Sequence, residues 1–369
     1  MVLTTDNFSI LNLQYLLQSC EWQISFRHEA LFFFNMIRIT RHVIVQIPNL
    51  TKVNVRLRTT LLFLVSLLSV QGFAQKKSIT DSLWQEFNNT QLADTVRLKS
   101  LHSMAVKFAF VNPDSAIVLG HKQLAFAQSR KALRYESAAY NTIGISFLNM
   151  GNLDSALVNY SKSLVIRRQI VDGKGEAASL NNIGIVYYQR GDYPRAIEYY
   201  QLSLNIKDSL GDMLGVAASY SNIGMIYENE GKIDLTLVYY NKALHIRDSL
   251  NDLRGLCDSY SKIAGYYMMT RDYENAEIFL DKSIDYAQQA GDDRSLSSSL
   301  SNIGHLFEIR EQDDSAIVYY QKALAIRLKL GDEEGIARSH VEIGSFYFDQ
   351  RDFLKAIENC KIGLDLSDK

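Results

Sequence analysis

Isoleucines stand 40 residues apart through most of the chain, at Ile143, Ile183, Ile223, Ile263, Ile303 and Ile343. The next position is small throughout: Gly144, Gly184, Gly224, Ala264, Gly304 and Gly344. Further on come Ala156, Ala196, Thr236, Ala276, Ala316 and Ala356, then Tyr160, Tyr200, Tyr240, Leu280, Tyr320 and Cys360, then Leu164, Leu204, Leu244, Ile284, Leu324 and Leu364. No insertion breaks the register over these six copies, and Asp114-Ser115-Ala116 with Leu124 marks a weaker seventh ahead of them. A fixed period of this length is the mark of stacked repeats, each too small to bury its own apolar faces.

Within one copy the spacing predicts two helices. Leu180, Ile183, Gly184 and Tyr187 fall at i, i+3, i+4 and i+7, one helical face. Gly191 ends that helix, because glycine adopts the left-handed conformation without strain. Asp192 caps the next helix, and Pro194 fits its first turn. Ala196, Tyr200 and Leu204 form the stripe of this second helix, and Gly211 ends it. A full column of aspartates, Asp172, Asp212, Asp252, Asp292 and Asp332, then caps the helix that opens each following copy. The glycine column is expected to face the alanine column, drawing paired helices close. Ser179, Ser219, Ser259, Ser299 and Ser339 read as small packing residues, since a catalytic serine does not recur five times.

These residues resemble the tetratricopeptide repeat family, whose pattern runs large residue, Leu-Gly, Tyr, Ala, aromatic. Tyr140, Ile143, Gly144, Phe147, Ala156 and Tyr160 carry it in one copy. Leu180, Ile183, Gly184, Tyr187, Ala196 and Tyr200 carry it in the next. The period of 40 rather than 34, and the missing proline near the repeat end, match the longer-helix variety, similar to kinesin light chains. The resemblance implies an all-α fold: a right-handed superhelical solenoid of stacked antiparallel helix pairs, about seven of them over residues 99–369. The pairs are placed near 99–136, 137–171, 172–211, 212–251, 252–291, 292–331 and 332–369. It also implies that the first helix of each pair lines a concave groove holding a protein or peptide. The residue before each isoleucine is then the one to watch: Thr142, Asn182, Asn222, Lys262, Asn302 and Glu342. The resemblance implies peptide-binding roles for Asn182, Asn222 and Asn302, with Lys262, Gln189 and Asn229 as further candidates. An amide offers both the donor and the acceptor that an extended main chain needs.

The first 98 residues follow another rule. Leu61–Val70 is a short apolar run behind Arg56 and Arg58, and Gly72-Phe73-Ala74 follows it. That is the pattern of a secretory signal peptide over 53–74, cut after Ala74. Residues 75–98 then lead into the repeats. Residues 1–52 lie upstream of a segment that ought to begin the chain, so we expect translation to start near Val53 or Val55. Export to the periplasm or membrane surface follows if the signal is used, and a cytoplasmic site if it is not.

Composition narrows the function. Lys and Arg number 39 against 41 Asp and Glu, a balance that favours no nucleic-acid partner. Three cysteines exclude a disulfide scaffold, and Cys257 and Cys360 read as buried small residues. None of the seven histidines has metal-ligand spacing. Asp172-Gly173-Lys174-Gly175 lacks the strand and the Lys-Ser/Thr of a phosphate loop and reads as an inter-repeat turn. No converging set of catalytic groups appears, so no enzyme, cofactor or metal is expected. The expected function is an exported scaffold binding a protein or peptide. A second reading is the extracytoplasmic sensor of a longer signalling protein. Its output domain would be a histidine kinase, nucleotide cyclase or transcription regulator outside this sequence, or it would act on a membrane-anchored partner. An exported hydrolase is a distant third. Ile362, Leu364 and Leu366 in the last copy are expected to lack cover and to offer a self-association surface.

Overall fold

Helix ends in this protein are set by side-chain caps and left-handed turns, and both recur with the period. The computed structural model describes residues 79–367. The segments 1–52 and 53–74 and the start of 75–98 lie outside the described residues. Fifteen helices and no strand are found among the described residues. They are α1 (Ile79–Asn88), α2 (Asp94–Phe108), α3 (Pro113–Ser129), α4 (Leu133–Asn149), α5 (Leu153–Gln169), α6 (Gly173–Gln189), α7 (Tyr193–Ser209) and α8 (Met213–Asn229). The rest are α9 (Ile233–Ser249), α10 (Leu253–Met269), α11 (Tyr273–Gln289), α12 (Asp293–Ile309), α13 (Asp313–Leu330), α14 (Glu333–Asp349) and α15 (Phe353–Ser367). From α2 onward they form seven pairs. The first pair opens at Asp94 and the second at Leu133, earlier than the 99 and 137 read from sequence. The aspartate column caps as expected: Asp172 accepts from the Gly175 amide at 3.1 Å, and Asp212, Asp252, Asp292 and Asp332 repeat the contact. Gly191 and Gly211 sit at φ +73° and +70°.

The core is one motif repeated. Ala156, Tyr160 and Leu164 of the second pair pack on Leu180, Ile183 and Val186 of the third. Ala196, Tyr200 and Leu204 meet Val216, Ile223 and Ile226 in the same way. One expected contact differs. Gly144 faces the ring of Tyr160 rather than Ala156: a Cβ at Gly144 would lie 2.6 Å from that ring. Gly184 and Gly224 face Tyr200 and Tyr240 identically. Tyrosine follows the alanine by one helical turn on the same stripe, so its ring covers the glycine while alanine closes the turn behind it.

Two of these rings bond a glutamate 12 residues back: Tyr320 donates to Glu308 at 2.6 Å, and Tyr240 donates to Glu228. The equivalent position for Tyr160 is Leu148, and its buried hydroxyl has no partner among the described residues. Burial pushes the phenols of Tyr160, Tyr200, Tyr240 and Tyr320 upward.

A cation joins four of the pairs to the next, and sequence reading missed it. Arg167 is buried and donates to the Ser179 hydroxyl at 3.0 Å and to the Gly175 carbonyl. Lys207 donates to Ser219 at 2.9 Å, Arg247 to Ser259 at 2.6 Å and Arg327 to Ser339 at 2.6 Å. Burial lowers the pKa of both Arg167 and Lys207. The serine column is therefore a set of cation acceptors as well as small residues. A Cβ at Gly175 or Gly255 would lie 2.8 Å from the arginine stem, so those glycines clear its path. Between the fifth and sixth pairs the cation column holds Ala287 and the glycine column Ser295. There Ser299 bonds Ser283 at 2.7 Å instead.

The two ends differ. At the N-terminal end α1 covers the first pair, with Phe87 buried against Leu101 and Met104. At the other end Ile362 and Leu364 are exposed, and so is Cys360, against the burial expected for it. Cys360 occupies the tyrosine column beside Gly344, on the last pair, where no further helix covers it.

Two paired substitutions test this packing. Gly184→Ala pushes a methyl into the Tyr200 ring and should cost about 1–3 kcal/mol in urea unfolding. Gly265→Ala meets only a Glu228 oxygen at 3.9 Å, so it should gain about 0.5–1 kcal/mol from helix propensity; equal effects at both sites would refute the close-approach account. Tyr160→Phe removes an orphaned hydroxyl and should raise stability by about 1 kcal/mol, whereas Tyr320→Phe strips Glu308 of its donor and should lower it by a similar amount. A folded phenol pKa above the unfolded value supports the fold below the unfolded pKa of about 10, and that support is lost as pH rises past it. Unfolding free energy should therefore fall steadily above about pH 10.

Candidate functional site: a wall of first helices

The first helices of successive pairs touch one another directly, α2 with α4 and α10 with α12. Polar side chains tie this row together across the repeats. Asn182 donates its amide to Asn141 at 3.0 Å, and Asn222 donates to Asn181 at 3.2 Å. Ser301 donates to Glu342 at 2.9 Å. Near the far end of the helices Asn149 donates to the Ala109 carbonyl at 2.8 Å and Asn229 to the Tyr188 hydroxyl at 2.7 Å.

These bonds place the sequence-derived candidates. Asn182 and Asn222 lie on the row, half-buried, and each is already bonded to the preceding repeat. Asn302 occupies the equivalent place, but Ser261, its counterpart one repeat back, bonds Ser283 at 3.0 Å; among the described residues the Asn302 amide has no hydrogen-bond partner. Lys262 bends onto Asp258 one turn back, where Arg247 also donates at 2.9 Å. Burial alone would raise the Asp258 carboxyl, but Lys262 and Arg247 outweigh it and hold the group below the usual range. Gln189 is exposed, and Asn229 is committed to Tyr188. Sequence reading overlooked the partner column Asn141, Asn181, Ser221, Ser261, Ser301 and Val341. Its signal was there, one place ahead of the candidate column, but spacing along one helix does not report a bond to the next.

Asn141 with Asn182, and Asn181 with Asn222, form two rungs of equal chemistry. One bond between two primary amides uses one donor and one acceptor. Each rung therefore keeps at least one free N–H and one free carbonyl, whichever way the amides are turned. A peptide group carries the same two functions.

Reaction chemistry finds little footing. No cluster of His, Cys, Asp and Glu able to hold a metal occurs among the described residues. Four of the repeating serines are engaged with buried cations and Ser299 with Ser283. Glu277, Asp281 and Asp285 share one face of α11, where burial and then the two neighbours raise Asp281. They lie on a single helix, and among the described residues the ion pair they make with another element is that of Glu277 with Arg310. Among the described residues no helix is long and apolar enough to cross a membrane.

Two tetratricopeptide repeat models match the chain, one over residues 135–209 and 255–329 and another over 217–249. No curated protein matches it in sequence. Among solved structures, aspartyl phosphate phosphatase F from Bacillus subtilis superposes with a TM-score of 0.55 at 14% identity, covering 82% of this chain and 87% of that one. The Rap conjugation gene regulator of plasmid pLS20, solved with a Phr peptide, gives 0.54 at 16% identity and 80% of each chain. A Rap protein complexed with competence and sporulation factor gives 0.52 at 16%, covering 74% of this chain and 77% of that one. At such identities the likeness is one of fold. Together with the repeat columns and the seven stacked pairs, the matches establish that this chain belongs to the tetratricopeptide repeat family.

Proposed function

We propose that this protein is a non-catalytic scaffold that binds an extended protein segment or peptide along the row of first helices. The carrying observation is the pair of asparagine rungs. Each is held in place by its internal bond and still presents a donor and an acceptor to a passing main chain. Successive first helices lie about 8–10 Å apart when packed, and an extended chain advances about 3.3 Å per residue. A ligand thus passes one rung about every three residues. The plasmid regulator of the same fold, solved with a Phr peptide, supports the reading by analogy. The signal-peptide pattern over 53–74 supports a scaffold acting outside the cytoplasm.

Two measurements test this. On an array of synthetic peptides, the full chain should retain a subset, and the variant combining Asn182→Ala, Asn222→Ala and Asn302→Ala should bind that subset at least tenfold more weakly. Each lost hydrogen bond costs about 1 kcal/mol of stability, so the variant should stay folded by circular dichroism. Unchanged binding by the folded variant would remove the amides from the site. N-terminal sequencing of the natural protein should read from Gln75; a mature chain starting at Met1 would refute export by this signal.

A further inference from the structure

Charge is distributed unevenly along the wall. The positions facing the same way as the rungs lie three or four residues to either side of them on each first helix. In α4, α6 and α8 these are Ala138, Ala178 and Ala218 on one side and Ile145, Ile185 and Met225 on the other, all exposed or half-buried. With the rung residues between them and Asn149, Gln189 and Asn229 beyond, the stretch carries no ionisable side chain over three consecutive pairs. The next helix breaks the pattern, with Asp258 and Lys262 at the corresponding places. The last first helix, α14, carries Arg338, Glu342 and Asp349 there. Charges flank the neutral stretch: Arg134 and Lys174 at the helix starts, Arg190 and Glu230 just past Gln189 and Asn229, and Glu228, which accepts from Tyr240.

We propose that the wall of the second to fourth pairs selects a peptide segment of about six residues without charged side chains, charge being accepted only beyond it. The length follows from two helix-to-helix steps of about 8–10 Å divided by the rise of an extended chain. This deepens the peptide-binding reading and rests on it. The rungs hold any main chain alike, so they do not discriminate among sequences. Discrimination comes from the side chains that alternate toward the wall. Between Ala178 and Ile185 such a side chain finds small and aliphatic neighbours. An apolar group loses unfavourable hydration there. A lysine or glutamate loses favourable hydration and meets no opposite charge on the floor. At the fifth pair Asp258 is shared by Lys262 and by Arg247 of the fourth pair, so that boundary offers polar contact and one net positive charge.

The test uses the full chain and labelled twelve-residue synthetic peptides with common flanks. In one set the central six residues are drawn from Ala, Leu, Phe, Asn, Ser and Gln. In two further sets a pair of these is replaced by Lys or by Glu. Fluorescence anisotropy should show the best neutral peptides binding at least tenfold tighter than their Lys and Glu counterparts. The double variant Ala178→Glu with Ala218→Glu should lose the neutral set by at least tenfold and favour the Lys set. Ala178→Lys with Ala218→Lys should favour the Glu set. Val158→Glu, on an exposed position of a second helix, should leave the ranking unchanged. Neutral and charged peptides binding alike, or a ranking that ignores both charge swaps in variants of unchanged helicity, would overturn the charge selection while the groove reading stands. Failure of every set to bind would overturn the groove reading, and this inference with it.

Discussion

The contact on which the solenoid depends is a tyrosine ring lying against a glycine of its paired helix. Protein interiors are close-packed, so two helices can approach only as far as their largest facing side chains permit. Glycine at 144, 184, 224 and 304 makes room for a full ring at 160, 200, 240 and 320. Where Leu280 replaces the ring the partner grows in step, Ala264 standing opposite it, so volume is kept in the fifth pair while the chemistry varies, which well-packed cores tolerate best. In the last pair Gly344 stays and meets the sulfur of the smaller Cys360. The same ring also touches the next pair, so one residue sets both the width of a pair and the pitch of the stack. An insertion would carry the ring off its glycine, and none breaks the register over the six copies.

The buried cations answer a different need. Between neighbouring pairs the first turn of each new helix brings two acceptors near the core, the Gly175 carbonyl and the Ser179 hydroxyl. Arg167 satisfies that carbonyl and the Ser179 hydroxyl together. Such a charge is costly to desolvate, and an apolar substitute of equal volume can be as stable. Its value lies in register: only a cation 12 residues ahead of its serine, with glycine clearing the path, completes the set. Between the fifth and sixth pairs two of the three positions change, Ala287 for the cation and Ser295 for the glycine, while Ser299 stays serine and bonds Ser283. Where the cation is absent the glycine that clears its path is absent too, as a contact shared between them leads one to expect.

Much of this was legible in the sequence, because period and helical spacing report which residues share a face. The isoleucine stripe, the aspartate caps and the glycine stops required nothing more. What spacing cannot report is the partner across a face. Glycine and alanine both being small suggested that they meet, whereas the ring one turn away takes the glycine. The serines looked like filler because their cations belong to the preceding pair. Asn182 stood out as a ligand contact, but its bond to Asn141 joins positions 41 residues apart, which no single-helix pattern displays. Cys360 followed its column inward on paper, while its place on the last pair leaves it exposed.

Those crosswise bonds change what the asparagines can do. A free asparagine on a helix must give up rotamer freedom when it meets a ligand, and that loss subtracts from affinity. An asparagine already bonded to its neighbour has given it up on folding. It offers its remaining hydrogen-bonding functions from a fixed position, repeated at the spacing of the pairs. The proposed binding surface is therefore ordered by the interactions that stack the repeats, and the stability of the stack and the readiness of the wall are two results of one arrangement. Rungs form where asparagine occupies both adjoining columns, at 141 with 182 and at 181 with 222. Further along, serine replaces the first partner, and lysine, asparagine and glutamate follow one another as the second. Main-chain capture and freedom from charge thus coincide on the same three helices, so that stretch, and not the full length of the solenoid, is where a ligand would be gripped first.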